Sequence, residues 1–188
     1  TTPNPHLMLC GLGVVLLSGC GGDASPKPPQ EARQPVQITN ETQTASLKFA
    51  LNMLNQLDDP DKGDNLCFSP LSLSIALGMT LNGAQGETFD AIAQTLGYEQ
   101  THLALFNQQA SQLARLFKGA NQEVTIHAAN GLWVQRGFEL KPDFLRALLI
   151  HYESRVETVD FAQPDAAAEH INRWIAEQTK EMIDKLFE

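Results

Sequence analysis

Residues 65–88 read Asn65-Leu66-Cys67-Phe68-Ser69-Pro70-Leu71-Ser72-Leu73-Ser74-Ile75-Ala76-Leu77-Gly78-Met79-Thr80-Leu81-Asn82-Gly83-Ala84-Gln85-Gly86-Glu87-Thr88. Ser69-Pro70 is a helix start: the Ser hydroxyl can accept from an orphan backbone N–H, and Pro suits the first helical position. The helix it opens, Leu71 to about Leu81, is apolar nearly all round and therefore expected to be buried on most sides. Its hydroxyls, at Ser72 and Ser74, then need partners. Before it, Leu66-Cys67-Phe68 reads as a short buried strand. After it, Asn82 to Thr88 forms a turn into another helix that stops at Gly97. That Gly-rich turn lacks the Lys of a phosphate-binding loop and has no strand before it.

Working outward, Leu47, Ala50, Leu51, Leu54 and Leu57 follow helical spacing, and Asp58-Asp59-Pro60 ends that helix. Leu103, Leu105, Phe106, Leu113, Leu116 and Phe117 make a further helix. Val124, Ile126, Ala128, Asn130, Leu132 and Val134 alternate with polar and mixed residues as far as Gln135. This period of two predicts a long strand with both faces at least partly covered. Pro142 begins a helix with Phe144, Leu145, Leu148, Leu149 and Tyr152 on its apolar side. Arg155 to Phe161 is a second strand. Asp165 opens a last helix, expected to carry Ile171, Trp174, Ile175, Met182 and Leu186. The class is α+β, rich in helix.

The N-terminal end has a different character. Leu7 to Leu17 is an apolar run of signal-peptide length, too short to span a bilayer. Leu17-Ser18-Gly19-Cys20 resembles the lipobox of bacterial lipoproteins, in which the cysteine, here Cys20, is lipidated and becomes the new N-terminus. TTPNPH carries no basic residue, a departure that a lost upstream stretch would explain. The expected organisation is a lipoprotein signal peptide over 1–20, a disordered tether over 21–45 and a folded domain over 46–188. Pro26, Pro28, Pro29 and Pro35 among small polar residues give the tether its extended character. The sequon Asn40-Glu41-Thr42 is expected to go unused in such a protein. Thr rather than Met stands first, and Glu188 follows an amphipathic run with no C-cap. The chain is therefore expected to be a piece of a longer protein.

Across 188 residues the chain is 43% hydrophobic and 19% charged, which fits a globular protein. With 13 Lys and Arg against 22 Asp and Glu the net charge is -9, and phosphate backbones would repel it, so no nucleic-acid partner is expected. Cys10, Cys20 and Cys67 cannot form a scaffold of several disulfides. No nucleophile elbow, zinc-binding HExxH, paired CxxC or dinucleotide-binding glycine motif is present. Glu169-His170 and His151-Tyr152-Glu153 are acid–imidazole neighbours, yet adjacent helical side chains diverge, so they are expected to be solvated. A nucleophilic role for Ser69 conflicts with its place as a helix cap inside the core. No enzyme, cofactor or metal is expected; an interaction role fits better.

Four blocks carry a resemblance. Asn65 to Ser74, with Gly83 to Thr88, looks like the strand–helix B–helix C segment of the serpin family. Ala129-Asn130-Gly131-Leu132-Trp133-Val134-Gln135 resembles its second strand of sheet A, and Val156-Glu157-Thr158-Val159-Asp160-Phe161 its first. Ile171-Asn172-Arg173-Trp174-Ile175 with Thr179 is similar to helix F. The blocks stand in the family's order and cover nearly everything from Ser46 onward. Cys67, where an aromatic is commoner, and Lys180-Glu181, in place of Asn-Gly, are departures.

The resemblance implies the N-terminal half of the serpin fold, helices A to F with the first strands of sheet A. It implies a serine-type endopeptidase inhibitor, sometimes acting on cysteine proteases, that traps its target as a suicide substrate. A reactive-centre loop is cut and then inserts into sheet A. Asn65, Ser69, Pro70 and Ser72 match the family's shutter, beneath the opening sheet. The reactive centre would lie beyond Glu188, so this chain alone should not inhibit. The strand 124–135, lacking sheet partners, is expected to expose an unpaired edge. Together with the lipobox, the expectation is export across the inner membrane and lipid anchoring at the cell envelope through Cys20. The alternative is a non-inhibitory serpin-fold binding or carrier module.

Overall fold

The computed structural model describes residues 10–19, 38–59, 63, 65–98, 103–118 and 124–188. In chain order the elements are β1 (Cys10–Gly19), α1 (Asn40–Leu57), α2 (Pro70–Leu81), α3 (Gly86–Thr95), α4 (Leu103–Lys118), β2 (Val124–Gln135), α5 (Pro142–Tyr152), β3 (Arg155–Val159) and α6 (Pro164–Gln178). Cys20, and with it the proposed lipid site, lies outside the described residues.

A three-stranded sheet with order β1-β2-β3 forms the middle layer. β2 runs parallel to β3, with Trp133 opposite Glu157 and Gln135 opposite Val159. A parallel pair needs a crossover, and α5 supplies it. The two faces of β2 are both covered, as its alternation predicted. Ala129 and Trp133 point to α6 and meet Ile171, Trp174 and Ile175 there. Leu132 and Val134 point the other way, to Met79 of α2 and to Leu148 and Tyr152 of α5. A third apolar cluster joins α1 to α3 through Ala45, Phe49, Leu81, Ala93, Leu96 and Tyr98. The turn after α3 lets these helices approach: Gly97 has φ +86°, and a Cβ there would sit 2.7 Å from the Ala45 carbonyl oxygen.

Several expectations are corrected. One edge of β2 is covered, because Cys10–Gly19 pairs with it antiparallel from Cys10 opposite Trp133 to Gly19 opposite Val124. On the other edge β3 pairs only with residues 131–135 among the described residues. The Cys10–Gly19 strand comes from the apolar run read as a leader. α1 begins at Asn40, so residues 40–45, placed in the expected tether, are helical, and Thr42 and Ala45 are buried. The Asn40-Glu41-Thr42 sequon is thereby the first turn of a helix, with Thr42 N–H bonded to the Thr39 hydroxyl. Leu66-Cys67-Phe68 is irregular rather than a strand, and Leu66 and Cys67 are exposed. An apolar run of three has no ladder to join here, and propensity alone does not make a strand.

At the other end β3 stops at Val159 and α6 at Gln178, so Met182 and Leu186 lie beyond the helix and are exposed. Helical spacing continued past the stop because nothing in it marks the αL backbone that follows, φ 51° at Lys180 and 61° at Glu181. α2 is enclosed at its C-terminal end, where Gly78, Met79 and Leu81 are buried, but Leu73 near its start is 38% exposed. The helix expected to be buried on most sides is thus half enclosed in this chain.

Candidate functional site

The polar residues at the start of α2 behave as their types require. The Ser69 hydroxyl accepts from the Ser72 backbone N–H at 3.2 Å and from the Ser72 hydroxyl at 3.0 Å. Its carbonyl accepts from Leu73 N–H at 3.2 Å, closing the first helical turn. Pro70 takes the first helical position, where no N–H is needed. Ser74 donates back to the Leu71 carbonyl at 2.9 Å. Asn65 and Ser69 are exposed, however, while Pro70 and Ser72 are half-buried. Ser69 and Ser72 are brought together; Asn65 is not joined to them by any hydrogen bond among the described residues. A hydroxyl pair open to water can exchange partners at low cost.

The buried polar cluster is elsewhere on the same helix, and sequence reasoning missed it. Asn82, following α2, donates from Nδ2 to the Gly78 carbonyl at 2.8 Å, to Asn107 Oδ1 at 2.9 Å and to the Tyr152 hydroxyl at 3.2 Å. Asn107 of α4 returns a bond to Asn82 Oδ1 at 2.8 Å, and the Tyr152 hydroxyl donates to Asn107 Oδ1 at 2.9 Å. Asn130 of β2 completes the link by donating to the Tyr152 carbonyl at 2.8 Å. Burial pushes the Tyr152 hydroxyl well above its ordinary pKa of 10, with the Asn82 contact acting the other way, so it stays a neutral donor. Four elements, α2, α4, α5 and β2, are tied at one point. The signal was present as polar residues inside apolar helical patterns, but only their three-dimensional convergence gives them partners.

On the opposite face of the sheet, α6 is seated by an edge-on pair of Trp133 and Trp174, ring centroids 5.0 Å apart. A surface clamp stands at its rim. Glu157 of β3 accepts from Arg155, Nε at 2.6 Å, and pairs with His170 Nε2 at 2.7 Å. These partners hold the Glu157 carboxyl below its ordinary pKa of 4.5, Arg155 first and His170 second. His170 therefore does meet an acid, but one on a strand rather than its neighbour Glu169, which pairs with Arg173 at 3.2 Å. His151 faces Ser111, Nδ1 to Oγ 3.0 Å. The Ser111 hydroxyl also lies 3.1 Å from the Asn107 carbonyl, an ordinary helical back-bond. Among the described residues no group of three His, Cys, Asp or Glu could hold a metal ion. No described helix is long and apolar enough to cross a membrane.

These features define a class: a helix-rich α+β structure whose short sheet is covered on both faces, with a Ser-Pro-capped helix beneath it. The serpin family description, "Serpin (serine protease inhibitor)", matches residues 44–188, and the chain belongs to that family. Neuroserpin of Gallus gallus is 32% identical over 145 residues, covering 77% of this chain and 35% of the relative. Leukocyte elastase inhibitor of Xenopus tropicalis is 31% identical over 144 residues, covering 76% and 38%. Among solved structures, the Manduca sexta serine protease inhibitor (serpin)-12 superposes with a TM-score of 0.67 at 29% identity, covering 77% of this chain and 39% of that one. The chain spans about a third of the length of the curated relatives it matches. The fold is accordingly a partial serpin fold.

Proposed function

We propose that the protein to which this chain belongs inhibits serine-type endopeptidases by the serpin route, with a reactive-centre loop that is cut and then inserts into the sheet. The single observation that carries this reading is family membership over residues 44–188. The name of the Xenopus relative, an elastase inhibitor, points to the same target class. Ser69 and Ser72 supply a hydroxyl pair at the shutter position, able to hold one arrangement and release it. On this reading the loop and its scissile bond lie in the part of the family fold that this chain, spanning about a third of its relatives' length, does not cover. The lipobox reading adds export and lipid attachment at Cys20, with cleavage that takes the Cys10–Gly19 strand off the edge of β2, and would place the inhibitor at the cell envelope.

The test is incubation of the intact protein with an elastase-like serine protease, followed by boiling in detergent. A covalent complex of summed mass is expected. Clean cleavage of the loop with no complex would reject inhibition and favour a binding or carrier module. Radiolabelled palmitate should enter the chain and should fail to enter a Cys20→Ala variant; equal labelling of both would remove the anchor from the proposal.

A further inference from the structure

β1 is a strand built from residues that composition assigns to a leader. Its ten residues, Cys10–Gly19, carry no charge and no Pro, and Val14 and Val15 at its middle favour extended backbone. They pair with β2 without a break, from Cys10 opposite Trp133, through Val14 opposite Ala129, to Gly19 opposite Val124. β3 reaches only residues 131–135, so among the described residues 124–130 have no other strand on either side. An open edge presents unpaired backbone donors and acceptors, and β1 satisfies them. α2 lies alongside the same strand. The ladder stops at Gly19, so it ends at the bond to Cys20 that lipobox cleavage would cut.

We infer that the edge of β2 over residues 124–133 is a strand-acceptor site, and that Cys10–Gly19 is its own removable cap. The ligand such a site takes is an uncharged, extended segment running antiparallel to β2. While the leader is attached, the sheet is complete over that length. Hydrolysis of the Gly19–Cys20 amide adds one water, leaving a carboxylate on Gly19 and an amine on Cys20. The strand is then held by pairing alone, and it leaves with no other part of the described fold attached. Residues 20–39 can extend to about 65 Å, ample for the strand to seat on its own chain, and such a tether favours that over a second copy. The acceptor site rests on the pairing, whereas removal of its cap rests on the lipobox reading. Palmitate labelling can therefore fail while the acceptor site stands.

Two experiments on the 188-residue chain test it. The first uses a background of Cys10→Ser, Cys20→Ser and Cys67→Ser. There Ser18→Cys with Thr125→Cys, which stand opposite each other, should close a disulfide within one molecule. Ser18→Cys with Ile126→Cys should not, because neighbouring strand residues point to opposite faces. No disulfide, a disulfide between two molecules, or equal closure of both pairs would overturn the seating. The second experiment is hydrogen exchange. Ladder donors alternate along a strand, so Val14→Pro with Val15→Pro removes the one that faces β2. The amides among residues 124–130 that donate to β1 should then exchange about a hundredfold faster than in the parent. Excess synthetic peptide of residues 10–19, carrying Cys10→Ser, should bring them back to within about threefold. Equal exchange in parent and variant, or a peptide without effect, would overturn the acceptor site. If the Pro variant fails to fold, the disulfide pair decides the matter by itself.

Discussion

Asn172 holds the backbone of Phe187 in both directions: its Oδ1 accepts from Phe187 N–H at 2.9 Å and its Nδ2 donates to the Phe187 carbonyl at 2.8 Å. Leu186 N–H donates to the same oxygen at 2.8 Å. The segment leaving α6 is thereby folded back along the helix, and Ile183 and Phe187 settle against its core cluster. Asn172→Asp keeps the acceptor but loses the donor, setting a carboxylate against a carbonyl. A loss of about 1–3 kcal/mol is expected. Hydrogen exchange should show the Leu186 and Phe187 amides deprotected before those of α6. Unchanged protection would mean that apolar packing alone seats the segment.

Tyr152→Phe removes one hydroxyl from the buried cluster while leaving Asn82 and Asn107 bonded to each other. A cost of about 1–2 kcal/mol is expected in urea unfolding. Asn107→Ala should cost more, because it leaves both the Asn82 amide and the Tyr152 hydroxyl short of a partner. The double variant should lose less than the sum, since both changes remove the same bond. Strict additivity would show that the Tyr152–Asn107 contact contributes nothing.

Gly78→Ala tests the space that this cluster needs. A Cβ there would stand 2.1 Å from the Phe106 ring and 3.0 Å from the Tyr152 hydroxyl. Ala ordinarily stabilises a helix interior by about 1 kcal/mol relative to Gly. Here crowding should win, with a net loss of roughly 1–3 kcal/mol. A raised melting temperature would contradict the close approach of α4 and α5 to α2.

The Ser69 cap is predicted to be worth about 1 kcal/mol. Ser69→Ala should lower stability by that amount, and Ser69→Asp should recover most of it, because a carboxylate can also accept from Ser72 N–H at a helix N-terminus. If Asp recovers nothing, the Ser69–Ser72 hydroxyl pair matters beyond capping.

The Glu157 clamp gives a pH dependence with a definite sign. Its carboxyl is held below 4.5 by Arg155 and His170, so the folded state keeps it charged where the unfolded chain would protonate it. The contribution is present above pH 4.5 and fades as pH falls through the lower folded value. Because this is a surface cluster, it should amount to no more than about 1 kcal/mol. Glu157→Gln should therefore be less stable than the parent at pH 6, and the two should converge near pH 3. A gap that persists in acid would point to packing rather than charge.

Much of this architecture was legible beforehand, for local reasons. The Ser69-Pro70 start of α2 and the Pro142 start of α5 lie where they were placed, because a capping hydroxyl and a fixed φ act on their nearest neighbours. The alternation from Val124 to Gln135 gave β2 its bounds and both covered faces. Ser69 and Ser72 meet through their hydroxyls at the start of α2, and Asn65 stands apart. What spacing alone did not reveal were the pairings. Met182 and Leu186 continue a helical pattern that Lys180 and Glu181 break with left-handed backbone. Leu66 to Phe68 has strand chemistry but no strand beside it.

Residue order by itself settled which segments coil and which extend, since those preferences are decided within a turn or two of chain. Tertiary structure alone decided that His170 faces Glu157 rather than Glu169, that Asn82, Asn107 and Tyr152 converge, and that Leu47, Leu51, Leu54 and Leu57 of α1 are exposed. Each of those outcomes depends on groups many residues apart being delivered to one point. That delivery is fixed by how whole helices and strands pack, which no local pattern encodes.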